Sequence, residues 1–213
     1  RNEMKELVYG SPEYVAKKEE ILKNFGSDMS KFDVKVAIRS RIDYLKGFIR
    51  STGLKGFVLG ISGGVDSTTA GRLAQLACEE LRSEGVDAKF VAMRLPAGVQ
   101  FDEADAQEAI KFINADVVLT VNIGEAANAM HMECLKALES ADKQLSASQA
   151  DFHKGNGKAR IRMSAQYYVA AAYGMAVIST DHNSEATAGF FTKFGDGAAD
   201  LTVLDGLIKT QVR

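Results

Sequence analysis

"FVLGISGGVDSTTAGRLAQL" (residues 57–76) joins a short apolar run to a glycine-rich turn and then to a helix-like pattern. Gly63 and Gly64 let the backbone approach a ligand closely. A helix that begins just after them offers N–H groups without helical partners at its positive end. Ser62 and Ser67 add hydroxyl donors beside the glycines. The stretch therefore predicts a strand, a loop that suits phosphate oxygens, and a helix, in that order.

Asp66 is the residue of this loop that a phosphate would repel. The common nucleotide loop, GxxxxGK[ST], carries a lysine that reaches the terminal phosphates, and this loop lacks it. A carboxylate beside phosphates is favourable where a Mg²⁺ ion lies between them. The structural alternative is a tight strand-to-helix turn in which serine and aspartate side chains cap the helix.

Apolar strands alternate with helices along the rest of the chain. Two polar segments are predicted to be loops: 140–157, an exposed loop or lid, and 192–200. The predicted strands are 57–61, 89–95, 116–121 and 176–180. The predicted helices between them are 65–83, 102–113, 124–140 and 157–174. This order indicates an α/β fold with a doubly wound, mostly parallel sheet flanked by helices on both faces. Ligands of such folds bind at the carboxyl ends of the strands.

Two helices are predicted before the sheet. A serine–proline pair is typical of a helix start and opens a helix over residues 12–25. A second helix is predicted to begin near Asp33 and to end near Gly53, with one apolar face. We expect residues 1–213 to form a single domain in which 1–53 contribute the N-terminal helices.

Composition narrows the class of protein. The chain has 213 residues, 46% of them hydrophobic, and a net charge of -2, so a packed domain is expected and a general attraction to nucleic acid is not. Its two cysteines form no metal-binding motif or disulfide framework. No apolar run approaches the roughly 18 residues of a membrane span. We therefore expect a soluble, cytoplasmic protein without nucleic-acid or membrane partners.

Polar residues follow the second strand in "RLPAGVQ", residues 94–100. Arg94 and Gln100 lie where a nucleotide base or ribose is within reach. The alternative is that Pro96 and Gly98 only shape a turn.

A basic cluster, "HKGNGKARIRM", occupies residues 153–163. If a helix begins near Asn156, then Lys158, Arg160 and Arg162 lie in its first two turns, where positive charge is unfavourable unless anions are bound. Guanidinium groups bind phosphates well, so the cluster predicts contacts to a dinucleotide. The alternative is a solvated basic patch whose register differs by a turn.

The fourth strand leads into "TDHNSEATAGFFTKFGDGAAD", residues 180–200. Thr180 ends the strand, and Glu185 follows five residues later, where its carboxylate is able to face the same crevice as Asp66. Two carboxylates that converge on a phosphate site indicate metal binding. The alternative is that Glu185 is only an acidic residue in the first turn of a helix.

"SGGVDS" resembles the pyrophosphate-binding loop of the N-type ATP pyrophosphatases, enzymes that split ATP between its α- and β-phosphates and adenylate a substrate. The other three motifs, and "LTVLDGLIKTQVR" (201–213), resemble those of the ammonia-dependent NAD synthetases in this superfamily. The chain departs from the family pattern at Ser179, Val203 and Thr210. The family chain also continues for several tens of residues, so we expect a C-terminal segment of the family to be missing from this sequence.

The resemblance implies a Rossmann-like fold and assigns roles to individual residues. The implied ATP contacts are Gly60, Ile61, Ser62, Gly63, Gly64, Val65, Asp66, Ser67, Arg94, Gln100, Thr180 and Lys209. The implied Mg²⁺ ligands are Asp66 and Glu185. The implied contacts to deamido-NAD are Arg160, Lys193 and Asp200. Asp66 and Lys209 are the implied catalytic residues.

The family reaction is the amidation of deamido-NAD to NAD with ammonia. The carboxylate attacks the α-phosphate of ATP, and ammonia then displaces AMP. The family works as a homodimer, for which helices 33–51 and 124–138 are the candidate interfaces. Free ammonia is the expected nitrogen source, although a separate subunit that delivers ammonia from glutamine is compatible with the sequence.

Two alternative functions stay open at this point. One is another adenylating ligase of the superfamily, such as a tRNA-thiolating or GMP-forming enzyme. The other is a nucleotide-binding protein without turnover.

Overall fold

The structure is a computed structural model that describes residues 32–98, 103–180 and 192–213, together with Pro12. Its strands are β1 (Gly56–Gly60), β2 (Lys89–Arg94), β3 (Val117–Thr120), β4 (Ala176–Ser179) and β5 (Leu201–Thr202). Its helices are α1 (Val34–Thr52), α2 (Val65–Ser83), α3 (Glu103–Ile113), α4 (Gly124–Ser140), α5 (Ala147–Tyr173) and α6 (Lys209–Val212). None of these helices is long and apolar enough to cross a membrane.

The five strands form one parallel sheet in the order β3-β2-β1-β4-β5. The chain moves outward from β1 through β2 to β3 and then returns to the other side of β1 with β4. Val58 of β1 therefore pairs with Val91 on one side and with Val177 on the other. The strand order reverses between β1 and β4, and the carboxyl ends of these two strands border the crevice where such sheets bind ligands.

Helices cover both faces of the sheet, as the sequence predicts. Alternate residues of β1 point to opposite sides, so Phe57 and Leu59 pack with α1, α2 and α3, while Val58 packs with α4 and α5. All three side chains are buried. The doubly wound α/β prediction is confirmed.

The predicted helix 33–53 is confirmed as α1. The Asp33 carboxylate caps its start by accepting hydrogen bonds from the N–H groups of Lys35 and Val36, at 2.8 and 3.1 Å. Gly53 ends it in the left-handed conformation at φ 71°. The helix predicted over 12–25 lies outside the described residues, apart from Pro12.

The loop predicted over 140–157 is wrong for most of its length, because α5 already begins at Ala147. Ser146 and Gln149 form a capping box, in which the Ser146 N–H donates to Gln149 Oε1 at 3.0 Å and the Gln149 N–H donates to Ser146 Oγ at 3.3 Å. Gly157 is tolerated inside the helix because a Cβ there would lie 2.9 Å from Cε of Met130 on α4. Gly157 therefore marks a close helix–helix contact, whereas a Cβ at Gly155 would have no atom within 4 Å.

A network of charges joins α1 to α2. The buried Lys46 ammonium donates to Glu80 Oε2 and Glu84 Oε1, both at 2.7 Å. Arg39 grips the Glu80 carboxylate with two nitrogens, at 2.7 and 2.9 Å. These hydrogen bonds, from Arg39 first and Lys46 second, lower the pKa of Glu80 from 4.5 to about 2.

We expect the Glu80 contribution to stability to disappear in acid. Because the pKa of Glu80 is lower in the folded chain, the contribution is present above pH 4.5 and is lost as the pH falls toward about 2. Glu80→Gln should lower the free energy of unfolding at pH 7 by about 0.5–1 kcal/mol. Urea unfolding of both proteins should show this difference shrinking between pH 4.5 and pH 3. A difference that stays constant with pH, or an equal one for the exposed control Glu139→Gln, would contradict the assignment.

Candidate functional site

The loop after β1 is held by its own serines. Ser62 N–H donates to Ser67 Oγ at 3.3 Å, and Gly64 N–H donates to Ser62 Oγ at 3.2 Å. The Ser67 hydroxyl donates in turn to the Gly64 carbonyl oxygen at 3.1 Å. Gly64 is the N-cap of α2 and provides no side-chain hydrogen bond to the first N–H groups of the helix. The serine hydroxyls therefore shape the loop, and the helix end supplies the donors for an anion.

Gly63 is required by the geometry of this loop. Its φ is +93°, which favours glycine, and a Cβ at this position would lie 3.0 Å from the backbone nitrogen of Ala106 on α3. A pocket of about 660 Å³ opens beside Gly63 and Thr68 and is walled by α3. Helix α3 therefore both packs closely against Gly63 and forms a wall of the open space beside the loop.

Asp66 and Lys209 meet at this loop although they are 143 residues apart in sequence. Asp66 lies in the first turn of α2 and is 17% exposed, and Lys209 opens α6 and is 40% exposed. The Lys209 ammonium forms an ion pair with Asp66 Oδ2. The structure therefore brings the two predicted catalytic residues together at the carboxyl end of β1.

Arg94 lies behind the loop and is only 3% exposed. Its Nη1 donates to the carbonyl oxygen of Ile61 at 2.8 Å, so the side chain stabilises the backbone at the start of the loop. A direct contact between Arg94 and a nucleotide stays a prediction. Thr180 follows β4 directly and is partly exposed at the crevice. Gln100 and Glu185 lie outside the described residues.

The basic cluster lies in the middle of α5, because the helix begins at Ala147 and not near Asn156. The prediction that Lys158, Arg160 and Arg162 occupy the first turns of a helix is therefore wrong, and its argument from the helix dipole does not apply. Arg160 Nε instead donates to the carbonyl oxygen of Lys193 at 3.2 Å.

The segment 192–200 is a loop, as predicted, and it runs along α5. Thr192 Oγ1 donates to Asn156 Oδ1 at 2.8 Å, one turn before the contact between Arg160 and Lys193. The structure therefore places two of the three predicted deamido-NAD contacts, Arg160 and Lys193, beside each other. Both are exposed, so their side chains are accessible to a ligand.

Asp200, the third predicted contact, is engaged by the protein itself. The Val177 N–H donates to Asp200 Oδ2 at 2.8 Å, and the Tyr167 hydroxyl donates to Oδ1 at 3.3 Å. Burial and then the nearby Asp200 carboxylate raise the pKa of Tyr167. Asp200 therefore anchors the end of the loop to β4 and α5, and its contact with a ligand stays a prediction.

Gln166 is a site residue that sequence reasoning missed. It is 3% exposed, and its Oε1 accepts the N–H of Gly60 at 2.7 Å, at the last residue of β1. A signal exists in the sequence, since Ala159, Gln166 and Ala170 share the buried face of α5 at spacings of seven and four. A polar residue in such a stripe needs a partner, and here the partner is the strand that leads into the loop.

Within the described ranges, no group of three or more histidine, cysteine or acidic residues is placed to hold a metal ion. The chemistry of the donors nevertheless fits Mg²⁺. Mg²⁺ is usually bound by one or two carboxylates, water and substrate phosphates, and does not need a cage of protein ligands. Asp66 beside an anion-binding helix end is such a donor set.

Sequence relatives agree on one kind of protein. The family model described as NAD synthase matches residues 37–213. An NH3-dependent NAD+ synthetase of Burkholderia lata is 57% identical over 185 residues, which are 86% of this chain and 64% of that relative. One of Bacillus thuringiensis subsp. konkukian is 54% identical over 181 residues, which are 85% of this chain and 64% of that relative. The chain thus spans 64% of the length of these curated relatives.

Solved structures show the same fold. NAD+ synthetase from Burkholderia pseudomallei superposes with a TM-score of 0.79 and 46% identity, covering 96% of this chain and 74% of that one. NMN synthetase from Francisella tularensis superposes with a TM-score of 0.68 and 34% identity, covering 85% of this chain and 68% of that one. The chain belongs to the NAD synthase family.

Proposed function

We propose that the protein catalyses the ATP-dependent amidation of deamido-NAD with ammonia, giving NAD, AMP and pyrophosphate in the last step of NAD biosynthesis. The observation that carries the proposal is the Asp66–Lys209 pair over the "SGGVDS" loop. A carboxylate and an ammonium beside a helix N-terminus suit a reaction in which negative charge accumulates on phosphates. Membership of the NAD synthase family supports the choice of substrate.

In the first step, a carboxylate oxygen of deamido-NAD attacks the α-phosphorus of ATP. A new oxygen–phosphorus bond forms, and the bond to the β-phosphate oxygen breaks, so pyrophosphate leaves with the electron pair. The N–H groups at the start of α2 and the Lys209 ammonium lie where they would stabilise this charge. This step requires no covalent nucleophile from the protein, so catalysis would rest on positioning and electrostatics.

Asp66 would hold Mg²⁺ in the loaded enzyme, with Glu185 as the predicted second carboxylate. When bound, Mg²⁺ would supply neutralising charge to the phosphates of ATP. The ion pair between Asp66 and Lys209 supports this role, because the carboxylate already stabilises a cation at the loop. On ATP binding, the Lys209 ammonium would turn from the Asp66 carboxylate toward the phosphates.

In the second step, ammonia attacks the carbonyl carbon of the adenylated substrate. A carbon–nitrogen bond forms, the carbon–oxygen bond to AMP breaks, and one proton leaves the nitrogen. The substrate side of the site would be the surface where α5 meets the 192–200 loop, with Arg160 and Lys193 binding the dinucleotide phosphates. Asp200 would then keep that loop in place from its contacts with Val177 and Tyr167.

The active form would be a homodimer, and both predicted interface helices, α1 and α4, leave apolar side chains exposed. Helix α4 is the less buried of the two. Among its 17 residues, Ala127 alone is buried, while Met130 and Met132 are 39% and 51% exposed. The two methionines are two residues apart and point to different sides of the helix, so each is a separate exposed apolar side chain. The other candidate, α1, packs Ile42 and Leu45 into the core and leaves Val34, Val36 and Ile38 exposed. Cytoplasmic location stays a prediction.

Light scattering should give twice the chain mass of 23.0 kDa for the wild type. Met132→Glu should give the single-chain mass, because a charge in an apolar interface is costly to bury. A wild type that is monomeric at micromolar concentration would rule out the dimer.

Product analysis tests the proposed function. The protein is incubated with ATP, Mg²⁺, deamido-NAD and ammonium, and nucleotides are separated by chromatography. Equal amounts of NAD, AMP and pyrophosphate are expected. ADP in place of AMP would contradict cleavage at the α-phosphate, and ATP binding without turnover would contradict catalysis. A parallel reaction uses nicotinate mononucleotide, because one structural neighbour is an NMN synthetase. We expect this reaction to be much slower than the reaction with deamido-NAD. A faster reaction would contradict deamido-NAD as the substrate.

A further inference from the structure

Helix α5 holds the carboxyl ends of two strands through side chains one turn apart. Gln166 Oε1 accepts the N–H of Gly60 at the end of β1, at 2.7 Å. Arg162 Nε donates to the carbonyl oxygen of Leu95, directly after β2, at 3.1 Å. Residues at positions i and i+4 share one face of a helix, so this face of α5 is fixed to the sheet at the point where the phosphate loop begins.

The backbone at the start of the phosphate loop is held from three directions. Gln166 accepts a hydrogen bond from the N–H of Gly60. The Met93 carbonyl oxygen accepts one from the N–H of Ile61 at 2.8 Å, and Arg94 donates one to the carbonyl oxygen of Ile61 at 2.8 Å. Gly60 leaves room for the amide, since a Cβ there would lie 3.3 Å from Gln166 Oε1. Gln166 is the one of these contacts that comes from α5.

The same helix carries the proposed substrate side of the site. Arg160 contacts Lys193 and Tyr167 contacts Asp200, so α5 also holds the 192–200 loop. Arg160 and Gln166 are six residues apart, which is about 9 Å along a helix axis. A rigid helix thus separates the loop proposed for ATP from the loop proposed for deamido-NAD by a fixed distance.

We propose that Gln166 is a positioning residue that sets the distance between the α-phosphate of ATP and the carboxylate of deamido-NAD. It touches neither reactant and acts through the backbone of Gly60. The inference rests on the proposed function, because it needs two substrates bound at the two loops. Reacting atoms must approach to about 3–3.5 Å, and a displacement of about 1 Å can lower the rate by about 100-fold.

Steady-state kinetics of two Gln166 variants test the proposal. Gln166→Met keeps the size of the side chain and removes the acceptor, so kcat should fall by about 30- to 100-fold while KM for ATP and deamido-NAD changes by less than about threefold. Gln166→Glu keeps an oxygen within reach of the Gly60 N–H, and its kcat should recover to within about fivefold of the wild type. A Met variant with normal kcat, or a Glu variant as slow as the Met variant, would overturn the proposal.

Gln75→Met is the matched control. Gln75 is also buried, at 2% exposure, and its Oε1 accepts the N–H of Asp116 at 3.2 Å, but this contact lies at the amino ends of the strands. The Gln75→Met variant should lose stability and keep its kcat, whereas an equal loss of kcat in both variants would reduce Gln166 to a structural role.

If Gln166→Met fails to fold by circular dichroism, Gln166→Asn replaces it. The amide of asparagine is too short to reach Gly60, so the same loss of kcat is expected. A wild type that forms no NAD would refute the proposed function, whereas an active wild type with an equally active Gln166→Met or Gln166→Asn would refute this inference alone.

Discussion

Asp66→Asn is expected to lower NAD formation by about 100-fold or more while the chain keeps its fold. The substitution keeps the shape of the side chain but removes the charge that would hold Mg²⁺ and that now pairs with Lys209. Asp66 is not part of the apolar core, so circular dichroism and the melting temperature should stay close to those of the wild type. The measurement is the rate of pyrophosphate release at saturating ATP and Mg²⁺.

Asp87→Asn provides the control for this variant. Asp87 is an exposed aspartate just before β2, at the opposite edge of the sheet from the loop. Its loss should leave the rate unchanged. If Asp66→Asn turned over like the control, Asp66 would be only a residue of the helix start, and the proposed metal site would be wrong.

Lys209→Met is expected to lower kcat/KM for ATP by about 10- to 100-fold, because the ammonium that would neutralise the leaving pyrophosphate is removed. Lys209→Arg keeps the charge and should lose less. The two variants together separate the effect of charge from that of shape. The exposed Lys89, at the amino end of β2, offers the control Lys89→Met, which should behave like the wild type. Normal catalysis by Lys209→Met would leave the ion pair with Asp66 as a structural contact only.

The strands and the phosphate loop could be predicted from local sequence. β1, β2, β3 and β4 lie within one residue of their predicted ends, because apolar runs buried on both faces are short and bounded by polar or glycine residues. The loop was recognisable because its glycines and the following helix start are local features. β5 was not predicted, since two residues carry no periodic pattern.

The start of α5 was not predicted, although part of its signal is local. The segment 140–157 is polar and contains small residues, a composition typical of loops, and its Gly155 and Gly157 weaken a helix by about 1 kcal/mol each. In the structure Gly157 lies where α5 approaches Met130 of α4, and Ser146 and Gln149 form a capping box at the helix start. The first is a tertiary contact, which a local pattern does not contain. The second was visible as serine followed three residues later by glutamine.

The orientation of polar side chains at the candidate site also could not be predicted from the sequence. Sequence patterns placed Arg94 and Asp200 near the site, but they did not distinguish a side chain that faces a ligand from one that binds its own backbone. In the structure Arg94 braces Ile61, and Asp200 accepts the N–H of Val177. Gln166 was missed for the same reason, because its partner is a backbone N–H that lies 106 residues away in sequence.

Transfer of oxygen-18 tests the central claim most directly. Deamido-NAD labelled in its carboxylate is converted with ATP, Mg²⁺ and ammonium, and the products are analysed by mass spectrometry. If the carboxylate attacks the α-phosphorus, one labelled oxygen stays with phosphorus when ammonia displaces AMP. The account predicts one oxygen-18 per AMP and none in pyrophosphate. Unlabelled AMP, or label in pyrophosphate, would contradict it.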